Sequence, residues 1–499
     1  MIKDLKTLRQ FLKEKIRFPV FGAGVYAFHR LGPDDFLPDY RILSLRRSLD
    51  GNLIKKDIKC FFIEKSLGKK HIREPRNATT VIRHPKTKKY LEKFPRADIL
   101  VYKTSSKMEK VCQKNNWNLI ASPIKFGKNL FENKIKFRKI LEELNILVPP
   151  GKICPVENLH YGHLMNAYGL PFVIQHPTKG GGKGTFFINN KEDFDRAYKK
   201  IKHPTRETFL GEKEEKPANE VIVAKHIQGP SPSIAGCVTG QGILSTNPQY
   251  QILDMPELYN PEKGSGLFCG HDWTSSNFSE NIKKQIYQIT ERIGNYFKKH
   301  SYKGIFGLDF VMDEESEKLY VTETNPRLLG SFPVISMAQI YNNEPAILAF
   351  HILEHLNINY QMNFKAINSL MRQKKQGSQM LLHNLLNCWA RIHKTLKPGI
   401  YQLNKNNKIK FLRPGYKLRD LKKKSEFLIT EGILIKKSHL SPNRRLCRIL
   451  TLNRVLENYK ELTPWAKTVA QEVYKGFKLK RIYFIKLRKL FFPNFLAKG

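Results

Sequence analysis

Acidic residues are scarce in this 499-residue chain: 44 Asp+Glu stand against 87 Lys+Arg, leaving a formal net charge of +43. Long apolar stretches are missing too, since no run approaches the roughly 18 residues of a membrane-spanning helix, which argues against an integral membrane protein. The opening MIKDLKTLRQFLKEK puts charges where a secretory signal needs an unbroken apolar stretch. Paired cysteines are absent as well. Cys60, Cys112, Cys154, Cys237, Cys269, Cys388 and Cys447 are odd in number, scattered, and never form CxxC, which excludes a disulfide framework or a zinc ribbon. Buried thiols in a reducing cytosol fit better, and a cytoplasmic location is expected. No internal repeat is found. What is present is 41% apolar and 11% aromatic residues, too many for a wholly disordered chain, over a length that implies about three domains.

A charge of +43 opposes compaction unless anions are near, so nucleic acid, an anionic membrane surface or an acidic substrate are candidate partners. The plainer alternative is lysines coating every exposed face, and their even spread favours it for most of them. The densest stretch is Lys475 to Lys489, KGFKLKRIYFIKLRK. It is compatible with a basic amphipathic helix on a membrane or RNA, and also with a terminal helix docked on its own domain.

Three regions are expected: 1–125, 126–360 and 361–499. In the first, Lys59–Glu64 and Ala97–Tyr102 read as strands. A helix over Ser105–Asn116 then leads to a strand at Trp117–Ala121. The second alternates strands with helices expected at Asn133–Asn145, Lys191–Lys200, Asn281–His300 and Glu344–Leu356. The third is a basic α+β region entered through an exposed connection, Met371–Gly377.

Two hairpins carry the chemistry. In Leu170–Ile188 an apolar strand runs into Gly180-Gly-Gly-Lys-Gly184 and out through a second strand. Glycines let backbone N–H groups approach an anion, and Lys183 adds charge, so polyphosphate is the natural ligand. A simple flexible turn explains the pattern equally well. It is not a Walker loop, because no GK[ST] opens a helix. In the second, Gly304-Ile-Phe-Gly-Leu-Asp-Phe-Val-Met-Asp313 and Leu319-Tyr-Val-Thr-Glu-Thr-Asn-Pro-Arg327 flank an acidic turn. If this hairpin turns about Ser316, Asp309 and Glu323 face each other about 5 Å apart. Strand periodicity puts Asn325 on the same face. Opposed carboxylates in apolar strands repel unless a cation lies between them; two carboxylates and an amide suit Mg²⁺ or Mn²⁺. Arg327 can hold a phosphate or carboxylate with two hydrogen bonds. The alternative is a pair of strand carboxylates facing solvent. A third stretch, Ser231–Gly236 with Leu267–Trp273, offers His271, Asp272 and Trp273 as a wall for an amine, or else a capped turn with a packed Trp.

The order of a glycine-loop hairpin followed by a late D…ExNPR hairpin resembles the ATP-grasp superfamily over roughly residues 95 to 360. The branch it is most similar to holds carbamoyl-phosphate synthase, biotin carboxylase and amino-acid ligases. That resemblance implies two α+β lobes clamping ATP, preceded by an α/β pre-ATP-grasp domain and followed by the basic C-terminal region. It implies Asp309, Glu323 and Asn325 as metal ligands and Arg327 as the catalytic, phosphate-binding arginine. Lys134, Gln175 and the lid residues Gly181, Gly182, Lys183 and Gly184 fall on phosphate-binding positions. Lys225 and Ile227 fall where backbone groups recognise adenine. Two positions depart from the family: Gln175 stands where a lysine usually grips the α-phosphate, and Ala224 where a glutamate takes the adenine amino group. Ser231 replaces the ribose-binding acid. The implied activity is an ATP- and Mg²⁺-dependent ligase coupling a small-molecule or peptide carboxylate to an amine. The competing reading is a degenerate ATP-grasp scaffold whose C-terminal region binds nucleic acid or membrane. Oligomeric state is not readable.

Overall fold

The computed structural model describes residues 1–67, 77–180, 184–208, 211–214, 217–260, 266–386, 388–442 and 444–482. The N-terminal part builds a five-stranded sheet from β1 (Val20–Gly24), β2 (Tyr40–Ser44), β3 (Lys59–Phe62), β4 (Asp98–Leu100) and β5 (Asn118–Ile120). The order is β3-β2-β1-β4-β5 and every pairing is parallel. Parallel strands are covered on both faces, and β1, wholly buried, shows why its residues are apolar or small. The helix expected between β4 and β5 forms at Ser106–Lys114, where the Ser105 hydroxyl accepts the Met108 N–H. Strand order reverses between β1 and β4, so their carboxyl ends flank a crevice.

A second sheet joins β6 (Gly151–Pro155), β7 (Phe172–Gln175), β8 (Thr185–Ile188) and β11 (Glu220–Lys225) in the order β6-β11-β7-β8, all antiparallel. Between them β9 (Thr205–Thr208) and β10 (Gly211–Glu214) form a separate ribbon. The glycine hairpin pairs as read, from Phe172 opposite Ile188 to Gln175 opposite Thr185. Gly181, Gly182 and Lys183 lie outside the described residues.

The third sheet is the largest. It begins with β12 (Pro232–Thr239), β13 (Gly242–Ser245), β14 (Gln249–Leu253), β15 (Phe268–Asp272), β16 (Gly304–Met312) and β17 (Leu319–Asn325). It continues through β18 (Ser378–His383) and, past the small strand β19 (Ala390–Ile392), into β20 (Gly399–Leu403), β21 (Ile409–Arg413) and β22 (Glu426–Thr430). After the short β23 (His439–Leu440), β24 (Arg445–Thr451) completes it. The order is β17-β16-β12-β14-β15-β18-β24-β22-β20-β21, with β13 paired to β12. Strands on either side of residue 360 thus hydrogen-bond in one sheet, through β15 and β18. The helices Glu280–Lys299 and Ile347–Leu356 pack on the β12–β16 part. The first of these buries Ile282, Ile286, Ile293 and Phe297, a 3–4 spacing that sets one stripe against Phe306 and Leu308. The helices expected around 133–145, 191–200, 281–300 and 344–356 form as Lys134–Glu143, Lys191–Lys202, Glu280–Lys299 and Ile347–Leu356.

Two expectations fail. The basic tail does not begin as an amphipathic helix: the helix Pro464–Gly476 ends first, and Leu479–Arg481 is a strand paired with β19. Leu479 and Arg481 alternate with Lys478 and Lys480 at the period of a strand, and β19 offers an open edge to pair with. Residues 483–499 lie outside the described residues. The 371–377 connection is not wholly exposed either, because Lys375 is buried in an ion pair with the equally buried Glu344. Among the described residues no helix is long and apolar enough to cross a membrane. All seven cysteines are free, five of them buried and Cys60 and Cys388 half-buried.

Candidate functional site

The β16–β17 hairpin places Asp309 opposite Glu323, as expected, but by way of an irregularity. Near the turn Met312 faces Leu319 and Phe310 faces Val321; Thr322 then bulges and the pairing shifts by one, bringing Asp309 to Glu323 and Gly307 to Asn325. The Thr322 hydroxyl donates to the Asp309 carbonyl at 3.0 Å and holds the bulge. Such bulges re-aim side chains beside functional sites. The Asn325 amide then donates to Asp309 Oδ2 at 3.0 Å and reaches Glu323 Oε1 at 3.5 Å, so the three side chains share one face.

Lys134 opens the helix Lys134–Glu143, whose cap Asn133 accepts the Ile135 and Lys136 N–H groups. The lysine is 6% exposed and its ammonium pairs with Glu323 Oε2. Its own N–H donates to the Pro177 carbonyl at 2.9 Å, tying this helix end to the glycine hairpin. Burial, with the neighbouring Glu323 charge, pushes the Asp309 carboxyl up to about 7. Burial also raises Glu323, but Lys134 and Arg327 outweigh it and hold that carboxyl below its usual range. Among the described residues one carboxylate is thus paired with a lysine while its neighbour has no ion-pair partner, the imbalance a divalent ion would remove.

Arg327 extends the network. Its guanidinium donates to Asn325 Oδ1 at 2.6 Å, to the Tyr102 hydroxyl at 2.8 Å and to Glu132 Oε1 at 3.2 Å. Glu132 also accepts from Lys103 at 2.7 Å, and these cations hold its carboxyl below the usual range against the opposing effect of burial. Neither Glu132, Lys103 nor Tyr102 stands out in the sequence; the one available signal is that Glu132 sits two residues before Lys134. Gln251, also missed, donates to Asp309 Oδ1 at 2.5 Å from β14.

Two spaces adjoin this network. A cleft of about 240 Å³ lies between the β6–β8/β11 sheet and the β16–β17 hairpin, lined by Gln175, Ala224, Lys225, Ile227, Asp309 and Glu323 among others. A cavity of about 320 Å³ lies at the carboxyl ends of β4 and β5, lined by Tyr102, Lys103, Ser122, Glu132 and Arg327. Gln175, Lys225, Ile227, Asp309 and Glu323 thus line one cleft, and Arg327 lines the second space. Gly184 is at the base of the hairpin loop, its carbonyl accepting the His176 N–H at 2.7 Å. The Lys225 N–H is committed to the Pro150 carbonyl at 2.7 Å.

The chain crosses from one wall of the cleft to the other at Gly229. Its φ is +154°, and a Cβ there would fall 1.8 Å from the Met312 carbonyl oxygen, so only glycine fits. The Met312 N–H donates to Pro230 O and the Glu314 N–H to Gln228 O, fastening the crossing to β16.

Of the two readings of His271, Asp272 and Trp273, the capped turn with a packed Trp holds, not the amine wall. Asp272 accepts the N–H groups of Ser275, Val455 and Leu456 and the Ser378 hydroxyl. Trp273 is fully buried. His271, pushed down to about 3 by burial and by Arg448, hydrogen-bonds Gln379. Those side chains are consumed by packing.

The chain's similarities agree with this geometry. Residues 131–331 match the model of the ATP-grasp domain, a narrower span than the 95–360 expected. The chain is 25% identical over 212 residues to the carbamoyl phosphate synthase large chain of Clostridium perfringens, a match covering 42% of this chain but 17% of that relative's length. It is also 25% identical over 214 residues to the corresponding protein of a Thermoanaerobacter species. In fold it is similar to the biotin carboxylase domain of Hydrogenobacter thermophilus 2-oxoglutarate carboxylase, a structure holding MgADP and bicarbonate. There the TM-score is 0.56 at 10% identity, over 93% of this chain and 91% of that one. Biotin carboxylase of Campylobacter jejuni gives a TM-score of 0.55 at 13% identity, over 96% of each chain. The chain is thus similar to carbamoyl phosphate synthase in sequence and to biotin carboxylase in fold, and residues 131–331 of this chain are an ATP-grasp domain.

Proposed function

We propose that the protein is an ATP- and Mg²⁺-dependent ligase that activates a substrate carboxylate as an acyl phosphate and couples it to an amine. The observation that carries this reading is the Asp309–Glu323 pair, opposed across one hairpin and lining the cleft, with the Asn325 amide on Asp309. The donor set fits a hard divalent ion: all its ligating atoms are oxygens, and among the described residues Asp309 has no ion-pair partner of its own, with burial and Glu323 outweighing the pull of Lys134. Among the described residues no group of three His, Cys, Asp or Glu gathers. Two carboxylates and an amide would therefore share the ion with nucleotide phosphate oxygens. Bound there, Mg²⁺ would neutralise charge on the transferred phosphoryl group.

In this reading the chain's own residues bind, orient and exclude water. Lys134, now on Glu323, is placed to move to the nucleotide's phosphates, and Gln175 to donate one uncharged hydrogen bond to them. Ala224 leaves the adenine amino group without a side-chain acceptor, so the base would rely on the Ile227 segment. Arg327 stands between the cleft and the cavity at β4 and β5, where it would steady the transferred phosphoryl or the acyl phosphate. The glycine hairpin would close over the reacting groups and keep water from the acyl phosphate. The carboxylate–amine chemistry also rests on the likeness to the carbamoyl phosphate synthase large chain and biotin carboxylase.

The test is a screen of carboxylates paired with amines for ADP and phosphate release by the full chain with Mg²⁺. Stoichiometric ADP and amide product with at least one pair supports the ligase. Failure of every pair, together with failure to bind MgATP, favours a scaffold whose ATP-grasp fold no longer turns over.

A further inference from the structure

Three arginines gather near the carboxyl ends of β1 and β4, and among the described residues one of them, Arg30, has no acid to face. Arg30 follows β1, is 6% exposed, and its Nε has no hydrogen-bond partner. Among the described residues the groups acting on its charge are the hydroxyls of Tyr40 and Tyr102, and burial pulls it below the usual guanidinium range. Its side chain lies over the glycines of β1, where a Cβ at Gly24 would come within 3.0 Å of Nε. The guanidinium is 6.0 Å from the ring centre of Tyr102, two residues past the end of β4, and Arg327 is 5.1 Å from the same ring. Arg448 reaches the crevice from β24, 1% exposed and 5.4 Å from the Phe28 ring.

Arg327 and Arg448 each have a carboxylate, Glu132 and Glu431 respectively, and Glu431 is further shared with Arg445 and His29. The local balance is therefore positive, and Arg30 is the unmatched charge. A buried guanidinium with an empty donor is costly to keep unless something else supplies the anion. The place has a second, independent mark: strand order reverses between β1 and β4, and ligands of open parallel sheets bind at the carboxyl ends there. Tyr102 connects the two features, because it lines the 320 Å³ cavity that also holds Lys103 and Arg327.

We propose that this crevice seats an anionic group of the substrate, a carboxylate or a phosphate remote from the reacting centre, with Arg30 as its principal ligand and Arg448 and Tyr102 beside it. Arg30 thereby selects acidic substrates over neutral ones. The assignment of the anion to a ligase substrate rests on the function proposed above; the binding itself does not.

The experiment is calorimetric titration of the full-length protein, saturated with Mg²⁺ and a non-hydrolysable ATP analogue so that nucleotide phosphate positions are filled. Inorganic phosphate and succinate are the two probes. At least one is expected to bind, phosphate the tighter if the group is a phosphate and succinate if it is a carboxylate. Arg30→Met should weaken that binding about 10- to 100-fold. Arg30→Lys should weaken it less, because it retains the charge without the planar fork, and it carries the test should Arg30→Met fail to fold. Absence of binding by the parent, or affinities unchanged in the folded variants, overturns the proposal. If the nucleotide analogue does not bind but Arg30-dependent anion binding persists, the ligase reading falls and this site stands.

Discussion

Replacing Lys134 by methionine tests how the site handles charge. The ammonium is 6% exposed and bonded to Glu323, which is itself 28% exposed and faces the raised Asp309 carboxyl. Breaking a fully buried pair costs about 3–5 kcal/mol. Because Glu323 reaches the cleft and its water, about 1–3 kcal/mol is the appropriate figure here. The parent and Lys134→Met are compared by thermal melting with and without Mg²⁺. The variant should melt lower without the ion, and added Mg²⁺ should recover more of its stability than it adds to the parent, since a divalent cation takes over the charge the lysine supplied. MgATP affinity should nonetheless fall about 10- to 150-fold, the equivalent of one charge-assisted hydrogen bond of about 1.5–3 kcal/mol. Equal Mg²⁺ effects on both proteins, or an unaltered affinity for MgATP, would refute the placement of Lys134 between the acidic face and the phosphates.

Other consequences are narrower. Gly229→Ala should lower both melting temperature and nucleotide affinity, by about 1–3 kcal/mol of backbone strain or more, because its Cβ meets the Met312 carbonyl; unchanged melting would contradict that crossing geometry. Gln175→Lys should tighten MgATP binding several-fold by adding charge at the cleft wall, measured by calorimetry. Asp272→Asn should destabilise the fold by at least about 2 kcal/mol, having turned an acceptor of four donors partly into a donor, while the folded fraction keeps its nucleotide affinity. Arg413 grips Glu426 through both carboxylate oxygens and, with the Lys422 and Lys423 N–H groups, holds it down to about 2. A depressed carboxyl contributes stability above its unfolded value near 4.5 and loses it as pH falls toward 2. Glu426→Gln should therefore melt below the parent at pH 7, with the gap closing across that window.

How much of this was legible in the sequence depends on the range of the interaction. The Asp309–Glu323 pairing was readable because it is a local hairpin with a period of two. The turn centre assumed at Ser316 sits half a residue off the observed pairing near the turn, and the bulge at Thr322 compensates for it. Lys134 is readable only through the resemblance, and Arg327 only as a general anion ligand beside the hairpin, since nothing local says what they touch. The Glu132 link between Arg327 and Lys103 spans 195 and 29 residues, and no periodicity encodes such a contact. Arg30 was invisible for the same reason: its unusual property is the absence of a partner, which only coordinates reveal. At the start of the basic tail KLKR satisfies a helical and a strand pattern alike, and the edge of β19 decides for the strand at Leu479–Arg481. Asp272 drew notice as a chemical group and proved to be a cap, the commoner use of a buried aspartate beside a turn.

The measurement that bears most directly on the central claim is calorimetric binding of ATP, with and without Mg²⁺, to the parent and to the Asp309→Asn/Glu323→Gln double variant. Binding to the parent should need the divalent ion and be lost in the variant while the fold, followed by circular dichroism, is retained. Binding that ignores Mg²⁺, or that survives the double substitution undiminished, would contradict it.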